Sequence, residues 1–259
     1  FDFVERVALE IPMTVFGDVL GIPAGDRDTL VKAANTMSSV LATPEEQDRC
    51  RSELFSYFRE LATERRRQPG DDVASILVSP NDNGEQLSAE ELDAYFLLLV
   101  IAGNETTRFL LAGGLEQLLL QPNAMQRLRR EPSLIPSAVE EMIRWVTPVI
   151  HMRRTVTEDT QAFGLDVAAG SKFVLYFSAA NRDPEVFESP HTFRLDRTPN
   201  KHVGFGAGHH FCMGAYLARL EAQIFLEEFL SITRGCELAA EGERIPSYWF
   251  AGLQRLLVR

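Results

Sequence analysis

HVGFGAGHHFCMGAYLARLE, residues 202–221, is the stretch that decides how the rest of the chain is read. Cys212 sits where a glycine-rich loop gives way to a helical pattern. Leu217, Leu220 and Ile224 recur at spacings of three and four, and Arg219 and Glu221 fall off that stripe. The glycines ahead of Cys212 permit positive φ and close backbone approach. A cysteine at a helix start faces unpaired N–H groups, and that field is expected to lower its pKa and favour thiolate. A thiolate is a nucleophile or a metal ligand.

Three readings of Cys212 compete. It can be an inert buried cysteine, packed as a small hydrophobe. It can bind zinc with His209 and His210, but adjacent histidines point apart and no second Cys/His pair follows at finger spacing. The third is a haem thiolate. The stretch resembles the haem-ligand loop of the cytochrome P450 superfamily, F-G-x-G-x-H-x-C-x-G, with every fixed position matched by Phe205, Gly206, Gly208, His210, Cys212 and Gly214. The resemblance implies that Cys212 is the axial ligand of haem b and that Gly214 lets the next helix pass close beneath the porphyrin. It also implies that His210 contacts a propionate, leaving His209 as a solvated loop residue.

Composition narrows the class. The 259 residues are 45% apolar and 24% charged, enough for one large core or two smaller ones, and the net charge of −11 argues against nucleic acid or a basic membrane surface as the main partner. Cys50, Cys212 and Cys236 are far apart and odd in number, which favours a reducing, cytoplasmic setting over a disulfide framework. No signal peptide opens the chain, and the longest strongly apolar run, Phe96 to Ala102, is too short for a membrane span. The chain begins inside a helical pattern without an initiator Met. We expect residues 1–259 to form a single partial domain, the C-terminal part of a longer protein whose N-terminal helices are absent.

The pattern is mainly α, with a small β region after residue 150. An amphipathic helix over 2–20 should kink or divide at Pro12. Helices are expected from Arg27 to Val40, from Pro44 to about Arg67, from Asp71 to Val78, from Pro122 to Arg130 and over 137–146. Arg65, Arg66 and Arg67 read as solvated helix-end charges. Asn81 to Gly84 is turn chemistry, and Lys172 to Tyr176 is a strand after the Gly170-Ser171 turn. Ser88 and Glu91 form a capping box opening a long helix to Leu120, expected to be central and buried between Tyr95 and Ile101. Within it, Ala102-Gly103-Asn104-Glu105-Thr106-Thr107 conflicts with a buried helix interior, as functional sites tend to do.

Three further stretches match the superfamily in order. The run 102–107 resembles its oxygen-binding motif, which implies that Thr106 hydrogen-bonds the bound oxygen, Glu105 relays protons and Gly103 makes room above the haem. Glu141 and Arg144 match E-x-x-R, and Phe193 to Arg197 matches F-x-x-x-R. The resemblance makes Glu141, Arg144 and Arg197 a structural network on the haem side. On its own, a glutamate and arginine three apart on a helix is usually a surface pair. Arg154 matches the position that pairs a propionate, with Arg153 as the neighbour it can be confused with. Ile101, Ala102, Val149, Ile150, Trp249 and Phe250 fall at positions lining an apolar substrate pocket.

The resemblance therefore implies a haem-thiolate monooxygenase that inserts one atom of O2 into an apolar small molecule of terpenoid, steroid or branched-lipid type. No flavin or iron–sulfur module is present, so its electrons are expected from a ferredoxin and an NAD(P)H-dependent reductase. Two other readings stand beside it. One is a non-catalytic haem-binding or structural fragment; the other is a peroxide-driven peroxygenase, against which the Glu105-Thr106 pair speaks.

Overall fold

The computed structural model describes residues 1–39, 42–121 and 123–259. The described chain is mainly helical, with three two-stranded antiparallel sheets. Its backbone divides into two compact units, residues 4–108 and residues 1–3 with 109–259.

In the unit 4–108, a π-helical turn over Val4–Ala8 leads into α1, Glu10–Leu20. The division of the expected helix falls at Leu9, and Pro12 lies in the first turn of α1, where a missing N–H leaves no helical bond unmade. Gly21 closes α1 in the left-handed region, at φ 71°, which glycine adopts without a Cβ penalty. α2 (Ala24–Ser38) starts ahead of the expected Arg27, and its expected end at Val40 lies outside the described residues. α3 (Pro44–Arg67) opens with a complete capping box between Thr43 and Glu46.

The core of this unit packs Leu54, Phe58 and Leu61 of α3 against Leu92, Phe96 and Val100 of α5 (Ala89–Leu120), with the Phe58 and Phe96 rings stacked at 4.7 Å. Arg65 departs from the expected solvated charge: it donates to Asp72 Oδ2 and to the Gly21 carbonyl, each at 2.7 Å. It thereby ties α3 to the end of α1 and to the N-cap of α4, Val73–Val78. The Ser88–Glu91 capping box forms, but the following stretch of α5 is not buried all round. Tyr95 is 41% and Leu98 59% exposed, because the core cluster lies against the Leu92–Phe96–Val100 face. By length and composition α5 is apolar enough to cross a membrane over a longer window than Phe96–Ala102, yet 56% of that window is buried inside the protein.

The second unit takes the remainder of α5. Gly113 and Gly114 let Val146 and Met142 of α7 (Ile135–Val146) approach it closely. α6 (Ala124–Arg130) precedes α7, and the expected first residue of α6, Pro122, lies outside the described residues. β1 (His151–Thr155) pairs with β4 (Lys172–Tyr176), His151 opposite Tyr176. Between them β2 (Thr160–Ala162) and β3 (Leu165–Val167) form a hairpin turned by Phe163 and Gly164, both at positive φ. The short helix α8 (Phe177–Ala180), the cysteine loop and α9 (Ala215–Ile232) follow, then β5 (Glu243–Arg244) and β6 (Leu253–Arg255). Residues 1–3 run along residues 256–258: the Phe3 N–H donates to the Leu256 carbonyl and the Phe1 nitrogen to that of Val258.

The buried face of α9 differs from the expected stripe. Ala222, Phe225, Leu226 and Phe229 are buried, together with Glu221, whereas Leu220 and Ile224 are exposed. The helix is apolar on both sides, and the side that turns inward is the one packed against α7 and α6, with the Phe3 ring against Phe225 and Phe229.

Candidate active site: the Cys212 loop and its supports

The loop is folded on its own backbone. Gly206 and Gly208 take φ values of 72° and 66°, as the glycine spacing requires. The Gly206 N–H donates to Val203, the Phe211 N–H to Gly208 and the Cys212 N–H to the Phe205 carbonyl at 2.9 Å. Cys212 is an exposed free thiol between exposed Phe211 and Met213. A Cβ on Gly214 would stand 3.9 Å from the sulfur, so glycine leaves the space beside it clear. The thiol differs from expectation in one respect. Helix α9 begins only at Ala215, and the protein packed around the sulfur pushes the Cys212 pKa up, although the Gly214 N–H and the Arg219 charge pull it down.

Beneath the loop, Glu141, Arg144 and Arg197 meet in a buried cluster, not a surface pair. Arg144 grips Glu141 with two parallel bonds of 2.7 Å, and Arg197 Nε donates to the same carboxylate at 2.9 Å. Both members of the Glu141–Arg144 pair are fully buried. Their remaining donors reach the carbonyls of Asn181, Pro190, Thr192 and Glu188. Asn181, which sequence reading passed over, links this cluster to the loop. Its backbone carbonyl accepts from Arg144, its side chain donates to Thr147, and its Oδ1 accepts the Val203 N–H at 2.7 Å.

A second support was also missed. His202 Nε2 lies 2.9 Å from Glu140 Oε2, and its Nδ1 accepts the Gly204 N–H, which assigns the ring proton to Nε2. Arg219 donates to both oxygens of Glu140, at 2.5 and 3.0 Å, and its guanidinium lies 4.6 Å above the Phe205 ring. Burial opposes ionisation of Glu140, but the bonds from His202 and Arg219 prevail and hold its pKa down at about 2. The only sequence signal was a glutamate doublet at 140–141 beside the E-x-x-R pattern.

The motif 102–107 lies in the other unit. Thr106 Oγ1 donates to the Ala102 carbonyl at 2.7 Å. Glu105 and Asn104 are buried; Arg108 Nη2 stands 3.5 Å from Glu105, and Asn35 Oδ1 stands 3.4 Å from both Asn104 and Arg108. Gly103 does not leave an empty space at its own Cα: a Cβ there would meet the Phe16 ring at 2.9 Å. Its glycine lets α1 pack against α5.

Four of the six expected pocket residues come together. Val149 bridges Phe250, and Ile150 N–H donates to the Trp249 carbonyl at 2.9 Å. Phe250 itself is packed inward on Phe109, ring centroids 5.8 Å apart. Ile101 and Ala102 belong to the unit 4–108. Arg154 is half-buried and donates to the Arg153 carbonyl; His210 is exposed. An open concavity of about 790 Å³ on α3 is lined by Arg59, Glu60, Glu64 and Arg67 among others. That polar lining suits neither haem nor an apolar substrate.

The donor set fits haem. Among the described residues no three His, Cys, Asp or Glu side chains stand together to hold a bare metal ion. One exposed thiol on a rigid loop, rimmed by Phe211 and Met213, suits an iron that arrives with its own equatorial nitrogens. A mainly helical fold with such a loop defines the haem-thiolate class. A family profile described as "Cytochrome P450" matches residues 40–232, and the chain belongs to the cytochrome P450 family. It is 39% identical over 251 residues to the steroid C26-monooxygenase of Mycobacterium tuberculosis (strain CDC 1551 / Oshkosh), across 95% of this chain and 68% of that protein. It is 38% identical over 264 residues to the methyl-branched lipid omega-hydroxylase of Mycobacterium bovis, across 99% of this chain and 62% of that protein. The crystal structure of CYP109E1 from Bacillus megaterium in complex with testosterone superposes with a TM-score of 0.93 at 37% identity, covering 100% of this chain and 72% of that one. The chain thus spans 62–68% of the length of the two enzymes named.

Proposed function

We propose that the whole protein is a haem-thiolate monooxygenase inserting one atom of O2 into an apolar small molecule. The observation that carries this reading is Cys212, an exposed thiol on a loop held by the Phe205 carbonyl and two positive-φ glycines. Haem b, when bound, supplies the redox chemistry that activates oxygen. Cys212 would hold its iron, His210 would contact one propionate and Arg154 would pair with a propionate. Thr106, whose hydroxyl rests on the Ala102 carbonyl, offers a proton at Oγ1 to oxygen, and Glu105 replenishes it. The 148–150 and 249–251 segments, paired through backbone bonds, supply an apolar wall that excludes water and selects by shape.

The relatives' names, a steroid C26-monooxygenase and a methyl-branched lipid omega-hydroxylase, support a steroid, terpenoid or branched-lipid substrate. Electrons come from a separate ferredoxin and NAD(P)H-dependent reductase, in the cytoplasm. The test is the reduced carbonyl complex of the whole protein. Wild type should give the thiolate-type Soret band and Cys212→Ser should lose it. An unchanged band in the variant places the ligand elsewhere. Turnover with peroxide alone, matching that with reductase, would favour a peroxygenase.

A further inference from the structure

The Glu140–His202–Arg219 cluster plays no part in the function proposed above, yet it stands directly against the ligand loop. Arg219 is fixed on three sides. Its Nε and Nη2 meet both oxygens of Glu140, its Nη1 lies 3.4 Å from the Ala215 carbonyl, and its plane rests 4.6 Å over Phe205. Glu140 is fixed in turn by His202, whose side chain is only 3% exposed and whose other nitrogen holds the Gly204 backbone. Phe205 gives its carbonyl to the Cys212 N–H. A guanidinium stacked on an aromatic face keeps its charge while its plane is immobilised.

We propose that Arg219 is a positioning residue for the Cys212 sulfur: clamped by Glu140 and stacked on Phe205, it fixes the ligand loop and keeps a positive charge beside the thiolate. The proposal rests on the haem-thiolate reading. Arg219 lies in the first turns of α9, directly after the loop, and the residue whose ring it covers, Phe205, accepts the Cys212 N–H. One electron from an outside reductant, a ferredoxin in the cell or dithionite in the assay, makes the site more negative by one charge. No bond forms or breaks and the sulfur remains a thiolate. A fixed cation nearby favours that change, and a fixed anion nearby opposes it.

The two partners therefore have opposite signs. In the haem-loaded whole protein, the ferric/ferrous midpoint potential of Arg219→Gln should fall below that of wild type. That of Glu140→Gln should rise above it. Arg219→Lys keeps the charge without the stacked plane, so its potential should lie between wild type and Arg219→Gln. The wild-type carbonyl spectrum is recorded first: no thiolate-type band there sinks the haem reading itself. With that band present, potentials that are unmoved in both Gln variants, or displaced in the same direction, would overturn the proposal. Loss of thermal stability with unmoved potentials marks a merely structural clamp and also counts against it. Should Arg219→Gln fail to fold, Glu140→Gln and Arg219→Lys still carry opposite expectations.

Discussion

Two buried charge clusters contrast within this molecule. Glu141 accepts five hydrogen bonds: two of 2.7 Å from Arg144, one of 2.9 Å from Arg197, one of 2.9 Å from the Arg194 N–H and one of 3.2 Å from Asn200 Nδ2. Around Glu105, Arg108 Nη2 stands 3.5 Å away, Asn35 Oδ1 stands 3.4 Å from Asn104 and Arg108, and Asn104 Oδ1 is buried with no hydrogen-bond partner among the described residues. Burying ions is expensive, so a cluster that only supports the fold is expected to saturate every donor and acceptor. A carboxylate held by several charge-assisted bonds, as Glu141 is, is not free to reorient. The Glu141 cluster meets that expectation, whereas the proposed function asks the Glu105 cluster to pass protons as well.

The contrast can be broken at its strong end. Glu141→Ala or Arg144→Ala strands a buried partner and should cost about 3–5 kcal/mol, a large share of ordinary domain stability. Soluble yield and haem content should both collapse; normal values for either variant would erase the distinction. Glu221 supplies an intermediate case, a buried carboxyl with Oε2 unpartnered among the described residues, whose pKa burial pushes up to about 7. Its folded-state value lies above the unfolded one, so stability falls as pH rises from about 4.5 to about 7 and stays lower above that. Glu221→Gln should remove this decline and be about 1–3 kcal/mol more stable than wild type at pH 8, with little difference at pH 4. Denaturant midpoints at the two pH values measure it.

Arg108→Met removes the guanidinium 3.5 Å from Glu105 and should cost about 1–3 kcal/mol, less than Arg144→Ala, which loses two 2.7 Å bonds to Glu141. A loss equal to that of Arg144→Ala would show the two clusters to be alike. Thr106→Ala should change stability by less than about 0.5 kcal/mol, its hydroxyl donating to a carbonyl of its own helix. Product formed per NAD(P)H consumed should nonetheless drop several-fold, with the missing equivalents recovered as peroxide. Full coupling in that variant would remove Thr106 from proton delivery.

Local chemistry was legible in the sequence where short-range rules govern it. The Ser88–Glu91 capping box forms as its spacing requires, and the loop glycines Gly206 and Gly208 take positive φ. The Glu141–Arg144–Arg197 cluster was legible only through resemblance, because helix spacing alone describes a surface pair equally well. What stayed hidden depends on distant partners. Arg65 looks like a solvated helix end until Asp72 and Gly21 are folded beside it. The inward face of α9 packs on α7 and α6 and touches Phe3, more than two hundred residues away, and the helix's own pattern does not choose between its two apolar sides. His202, Glu140 and Arg219 belong to three separate segments, and no local pattern announces that they meet.

The short pairing of residues 1–3 with 256–258 has a consequence for synthesis. Emerging from the ribosome, Phe3 has no strand to join until nearly the whole described chain has been made, while the unit 4–108 already holds all of its own contacts. Closing so long a loop carries a large entropy cost that local helix formation does not. The seam is therefore a late-zipping one. Until it closes, the Phe3 ring and the Phe225–Phe229 face it covers are both bare, a sticky interval in which chaperones have something to hold.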